Sequence, residues 1–196
     1  MSKRVIIVAA LVALLLASTA SAARKVKDYS ATIDNFKKIP QVAKFFDTAH
    51  GYAVFPNIGK GGLGVGGSHG KGQVYRGGEL IGFTSTSDIS IGLQAGGQAY
   101  AQIIFFENEE ALIQFTGGNF AFAAGAEAIA VQAKAEAKAS TEQSGAHASV
   151  SKTEDKATTT AKYRDGMAVF TMAKGGLMYA ATIAGQKYSY KAIKAE

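Results

Sequence analysis

The chain has 196 residues with 21 basic and 15 acidic side chains, a formal net charge of +6. That length suits one domain with a sizeable core, and the modest positive balance permits contact with anionic surfaces without demanding it. The chain has no cysteine, which excludes disulfides, thiol catalysis, thiolate metal sites and a lipid-modified cysteine anchor.

The N-terminus carries a basic start, "MSKR", an apolar run, "VIIVAALVALLLAS", and the small-residue exit Ala20-Ser21-Ala22. This is the pattern of a secretory signal peptide over residues 1–22, cleaved before Ala23. The apolar run is shorter than the roughly 20 residues a spanning helix needs. Removal of Lys3 and Arg4 leaves 19 basic against 15 acidic residues, a balance of +4. The expected location is outside the cytoplasm: periplasmic or secreted, or peripheral on a membrane.

Residues 23–50 read as a helical segment. Val26, Tyr29, Ile33 and Phe36 recur at helical spacing. Pro40 suits the first turn of a second helix that runs to Thr48, buries Val42, Phe45, Phe46 and Ala49, and ends at Gly51. From Gly51 the period becomes two. "YAVF" is a short strand stopped by Pro56, and "GLGVGG" sets bare glycines on one strand face. "QVY", "RGGE" and "LIGF" predict a hairpin with Gly77-Gly78 at its tip.

Alternation then runs from Asp88 to Phe105. Ile89, Ile91, Leu93, Ala99, Ile103 and Phe105 share one face, and Ser90, Gln94, Gln98, Tyr100 and Gln102 the other. This is too long for one ordinary strand, so Gly96-Gly97 is expected to bend it. "NEEALIQFTGG" predicts a short helix capped by Asn108 and ended by Gly117 or Gly118. Ala130 to Ala139 alternates small residues with Gln132, Lys134, Glu136 and Lys138, which favours a strand. Residues 140–165 are polar and predict a mobile loop.

The end of the chain repeats its middle: "GYAVFPNIGKGGL" from Gly51 matches "GMAVFTMAKGGL" from Gly166 with one residue omitted. Each copy reads as a strand, a turn bearing Lys-Gly-Gly and a strand back, two partner hairpins of one sheet. The expected fold is therefore α+β: a glycine-rich, mostly antiparallel β-sheet, closed or barrel-like, over residues 51–196, with N-terminal helices and one inserted short helix.

Three catalytic or nucleotide motifs overlap in this region and none has its context. Gly62 to Gly67 fits GxGxxG, but "SHGKGQVYRGG" follows where a helix must start. Both Gly-Lys pairs lack the leading glycine and the following Ser or Thr of a phosphate loop, with Val54 and Val65 in the glycine's place. Ser68 sits in GxSxG but is followed by strand-like residues, and His147 lies in the polar stretch, a poor place to hold a general base. His50, His69 and His147 have no metal-ligand spacing. No catalytic residue, metal or cofactor is expected, and the domain reads as non-enzymatic.

"GYAVFPNIGKGGLGVGGSHGKGQVY", "IGLQAGGQAYAQIIFFENEEAL" and "KGGLMYAATIAGQKYSY" together resemble the SYLF lipid-binding domain family, in order, over residues 30–192. The chain is similar to the stand-alone, exported bacterial form. The resemblance implies binding to a membrane surface, with anionic phospholipid as ligand, and neither nucleic acid nor actin as partner. It implies a membrane-facing helical segment with Phe36, Lys37, Lys38, Lys44, Phe45 and Phe46. The same aromatic stripe suits packing on the sheet equally well. Lys60, Lys71, Arg76 and Lys174 would add electrostatic attraction. The competing expectation is a structural or protein-interaction component of the bacterial envelope.

Overall fold

The computed structural model describes residues 26–63, 65–91, 96–123, 126–131, 161–174, 181–183 and 185–193. The predicted signal peptide, the alternating stretch 132–139 and most of the predicted 140–165 loop lie outside these residues. Two short helices come first, α1 (Ser30–Lys37) and α2 (Pro40–Thr48). Asp28 Oδ1 accepts the Ser30 N–H at 2.8 Å as α1 begins. Pro40 opens α2, where its fixed φ costs nothing and its missing N–H would have no helical partner. Ala49, in an extended conformation, ends α2, so Gly51 is not its cap; it is the first residue of the sheet.

β1 (Gly51–Leu63), β2 (Val65–Arg76), β3 (Glu79–Ile91) and β4 (Gly96–Phe106) form the central antiparallel ladders. Pro56 does not stop β1: both ladders of β1 shift register around it, between Val54 and Asn57 on one side and Phe55 and Ile58 on the other. A bulge is where a strand tolerates a residue without an N–H. Nor do Lys60-Gly61-Gly62 form a turn, because they lie inside β1 and pair with Ser68, Gly67 and Gly66. The long alternation from Asp88 belongs to two strands, β3 and β4, and Gly96-Gly97 begin the second rather than bend a single one. The predicted β2–β3 hairpin is present, with Gly77 and Gly78 at φ 57° and 86°. Positive φ at both turn residues matches the twist of the strands they join.

After β4 comes α3 (Glu109–Thr116). Asn108 Oδ1 accepts the Ala111 N–H at 2.9 Å, and Glu109 and Glu110 sit in the first turn. β5 (Asn119–Ala121), β6 (Glu127–Val131), β7 (Met167–Ala173), β8 (Ala181–Thr182) and β9 (Lys187–Ala192) follow. The strands lie in the order β5-β9-β3-β2-β1-β4-β7-β6-β8, and only β6 and β7 are parallel among the described pairs. The α+β class and the mostly antiparallel sheet therefore hold. The sheet curls as a half-barrel, and further backbone bonds extend the outermost pairings at each end of the order, β5–β9 and β6–β8. Phe122 N–H donates to Gln186 O at 3.4 Å, Gly185 N–H to Phe122 O at 3.3 Å and Ile183 N–H to Ala126 O at 3.2 Å.

The curl gives the sheet two differently covered faces. The inner face carries Ala53, Phe55, Ile58, Val74, Ile104, Phe106, Val169 and Tyr188, with Ala111, Leu112 and Phe115 of α3 packed against them. The outer face carries Val54, Ile103, Phe105, Ala168, Phe170 and Met172, covered by Ile33, Phe36, Ile39, Val42 and Phe45. Each fully buried aromatic or large aliphatic side chain contributes about 1.5–3 kcal/mol. Ala161 and Tyr163 join this outer layer, so the last residues of the predicted 140–165 loop pack on the sheet.

The internal repeat is real in sequence and inverted in space. Ala53 and Phe55 face inward and Val54 outward, whereas Ala168 and Phe170 face outward and Val169 inward. β1 and β7 flank β4, and Ile103 is opposite Val54 on one side and Phe170 on the other. The two Ala-Val-Phe runs thus differ by one residue in register, which turns every side chain to the other face.

Candidate functional site

The helical layer presents its rings to the protein and its cations to solvent. Phe36 is fully buried and Phe45 nearly so. Phe45 lies 5.5 Å from Phe105 and 5.1 Å from Phe170 between ring centroids. In this arrangement neither ring reaches an external surface, so both belong to the core and not to a membrane-facing stripe. The reason is physical: α1 and α2, with Ala161 and Tyr163, cover the apolar outer face around Ile103 and Phe105. Phe46 is half-buried, edge-on to Phe105 at 4.8 Å and to Tyr52 at 5.3 Å. Lys37, Lys38 and Lys44 are exposed. Lys37 Nζ sits 5.3 Å above the Phe46 ring and Lys44 Nζ 5.4 Å above that of Phe45. Their stems cover aromatic surface while the ammonium groups stay in water.

The other four basic residues named from sequence do not converge. Lys60 of β1 and Lys174 after β7 lie towards one end of the sheet, where Lys60 is opposite Gln98 and Lys174 N–H donates to Ala99 O at 2.8 Å. Lys71 is exposed midway along β2, and Arg76 ends that strand beside the Gly77-Gly78 turn. From Ser68 to Arg76 the strand covers about 27 Å at its usual rise, so Arg76 is remote from Lys60.

The motif residues take ordinary strand positions. Gly62 and Gly66 pair with each other across the β1–β2 hairpin, so GxGxxG is not a loop before a helix. Ser68 is inside β2, and His69 points to the opposite face by the alternation of a strand. The sharp strand-to-helix turn of a hydrolase nucleophile is absent there. Among the described residues no cluster of His, Asp and Glu could hold a metal ion.

The structure assembles a buried polar group whose members are not adjacent in sequence. Gln186 Nε2 donates to the Tyr100 hydroxyl at 2.7 Å, and the Tyr188 hydroxyl donates to Gln186 Oε1 at 2.6 Å. Gln102 adds longer bonds, donating to Gln186 Oε1 at 3.4 Å and accepting from Tyr188 at 3.3 Å. All four side chains are buried. Burial pushes the Tyr100 phenol above its ordinary range, opposed by the Gln186 bond and assisted by the Asp88 charge. Burial raises the Tyr188 phenol further, against the bond to Gln102.

Beside this network Lys60, Ser68 and Asp88 stand opposite one another on β1, β2 and β3. Ser68 Oγ and Thr86 Oγ1 are buried and, among the described residues, have no partner at good hydrogen-bond geometry. The signal was present in the alternation that sets Gln98, Tyr100 and Gln102 on one face. A polar face reads as solvent-exposed, and only the curl of the sheet reveals that Tyr100 and Gln102 line its inside.

The molecule is thus an α+β domain on one curled sheet, with a cationic helical layer outside and a polar group within. The sequence model of the Ysc84 family, described as "Las17-binding protein actin regulator", matches residues 87–191, more than half of the chain. The chain belongs to this family, the SYLF family that its motifs resemble. No curated protein matches it.

Proposed function

We propose that this is an exported, non-catalytic domain that binds a membrane surface, with anionic phospholipid as its ligand. The N-terminal sequence supports export, and membership of the SYLF family supports a lipid-binding role. The observation that carries the reading is the set of exposed lysines on the helical layer, Lys37, Lys38 and Lys44. Near an anionic bilayer each contributes about 1 kcal/mol of attraction, which salt screens. With Phe36 and Phe45 committed to the core, the contact is electrostatic and peripheral rather than an insertion of those rings.

The test is sedimentation of the chain from Ala23 with neutral and with anionic phospholipid vesicles, at low and high salt. Binding confined to anionic vesicles, weakened by salt and by Lys37→Glu with Lys38→Glu, is the expected result. Indifference to both vesicle types would sink the reading.

The second reading is a structural or protein-interaction component of the bacterial envelope. It is favoured by the family's description as binding a protein and by Ile113, 61% exposed on α3. Capture of one specific envelope protein, lost on Ile113→Asp, together with vesicle indifference, would select it.

A further inference from the structure

The inner face of the sheet changes character along its length. Around Phe106 it is apolar and covered by α3, where Phe115 lies 5.0 Å from Phe106 and 5.3 Å from Tyr188. Towards the other end it becomes polar in two successive rows. One row runs Gln98, Lys60, Ser68, Asp88 across β4, β1, β2 and β3. The next runs Tyr100, Ile58, Gly70, Thr86, Tyr188 across the same strands and β9. Ile58, Tyr100 and Tyr188 belong to the inner core, and strand alternation puts Lys60 and Asp88 on that face.

Access is graded along the first row: Gln98 is exposed, Lys60 and Asp88 are half-buried and Ser68 is buried. Two strand spacings separate the backbones of Lys60 and Asp88, about 10 Å, with Ser68 between them. Among the described residues Ser68 Oγ and Thr86 Oγ1, both buried, have no partner at good hydrogen-bond geometry. They lie near the Tyr100 and Tyr188 phenols, respectively, and act weakly to lower them. A buried hydroxyl left poorly paired is costly. The rows therefore offer one cation, one carboxylate and two incompletely paired hydroxyls at a place open to the surface.

We propose that this end of the sheet selects the headgroup of a hydroxylated phosphodiester lipid of the phosphatidylglycerol type. The proposal rests on the membrane reading above and names what that reading would recognise. Lys60 takes the phosphodiester charge. The Asp88 carboxylate accepts from a headgroup hydroxyl, and Ser68 and then Thr86 meet the remaining hydroxyl as donor or acceptor. A polyol both donates and accepts, as this set requires. An ammonium headgroup only donates and would leave the serine and threonine protons unmatched. A doubly charged phosphomonoester would be repelled by Asp88.

The experiment compares vesicles of phosphatidylcholine carrying equal mole fractions of phosphatidylglycerol, phosphatidylserine or phosphatidylethanolamine. Phosphatidylglycerol and phosphatidylserine have the same net charge, so their ratio reports the headgroup and not the surface potential. About a tenfold preference for phosphatidylglycerol is expected, the size of one charge-assisted hydrogen bond. Ser68→Ala and Asp88→Asn should each bring the ratio close to one, while binding to phosphatidylserine persists. Free glycerophosphoglycerol, the singly charged deacylated diester, that abolishes the preference would show that the headgroup alone is recognised. A preference that survives glycerophosphoglycerol would show that the lipid-borne headgroup is required.

Equal affinity for the two anionic lipids would overturn the headgroup site and leave peripheral membrane binding standing. A preference retained in both variants, or strongest binding to phosphatidylethanolamine, would overturn it too. Failure to bind any vesicle would overturn both this inference and the membrane reading.

Discussion

Gln186 donates through Nε2 to the Tyr100 hydroxyl at 2.7 Å, a bond that ties β4 to the segment entering β9 across the inside of the curl. The Tyr188 hydroxyl completes the arrangement by donating to Gln186 Oε1. Both phenols work as neutral groups, and their burial holds them so. A buried network of this kind is stabilising only while every member is paired.

Alkaline pH should therefore unfold this protein early. Tyr52 is pushed up to about 12 by burial and then by Tyr75, and Tyr100 and Tyr188 are raised as well. A phenol raised in the folded state stays protonated there after the unfolded chain has begun to ionise. Its contribution is intact below the unfolded value near 10 and is lost as pH climbs towards the folded value. Denaturant midpoints should hold up to about pH 10 and then fall steeply towards pH 12. Tyr188→Phe should cost about 1–3 kcal/mol at pH 7, because Gln186 Oε1 loses its shortest bond. The same variant should lose less stability per pH unit above 10. Equal slopes in the two proteins would show that Tyr188 is not part of the alkaline transition.

The helical layer yields a second prediction, which separates stability from binding. Phe45 is buried against Phe105 and Phe170. Phe45→Ala should destabilise by about 3–5 kcal/mol, the usual range for emptying a buried aromatic site. Lys38→Glu alters an exposed side chain on the same layer and should change stability by less than about 0.5 kcal/mol. Urea denaturation of the two variants checks both. A Phe45→Ala variant as stable as the parent would mean that the helices are not docked as described.

How legible this was from sequence depended on whether a feature was local. Asn108 and the acids after it gave the α3 start, Pro40 gave α2, and Gly77-Gly78 gave the β2–β3 turn, since each is decided by backbone chemistry within a few residues. The Ala-Val-Phe repeat misled because its facing depends on register. Pro56 and its bulge let β1 present Ala53 inward, while Ala168 of β7 faces outward. The site was harder still. Lys60, Ser68 and Asp88 are separated by 8 and 20 positions in the chain and become neighbours only through two hairpin registers. Lys60 was visible as a candidate because Lys-Gly-Gly recurs, yet nothing local marks Asp88 as its companion. The aromatic residues Phe36 and Phe45 carried a pattern shared by core and membrane helices, and only the uncovered outer face of the sheet decides between them.

The glycines of β1 and β2 give the last prediction, because they fall into two physical classes. A Cβ built at Gly72 would lie 2.7 Å from the Phe55 ring and 2.8 Å from Val54 O. The carbonyl cannot move without disturbing the ladder, and Phe55 is wholly buried. Gly72→Ala should therefore destabilise by about 1–3 kcal/mol, the cost of overpacking a filled core. Gly59 lies on β1, the strand paired with β2, and faces its exposed outer side; among the described residues nothing stands within 4 Å of a Cβ placed there. Gly59→Ala should be neutral or stabilising by about 0.5–1 kcal/mol, since glycine within a strand surrenders more backbone freedom on folding than alanine does. Thermal melts of the two variants measure the contrast. If Gly59→Ala were the more damaging change, the open outer face at that end of β1 would have to be covered in solution, and the division of the sheet into packed and free parts would fail.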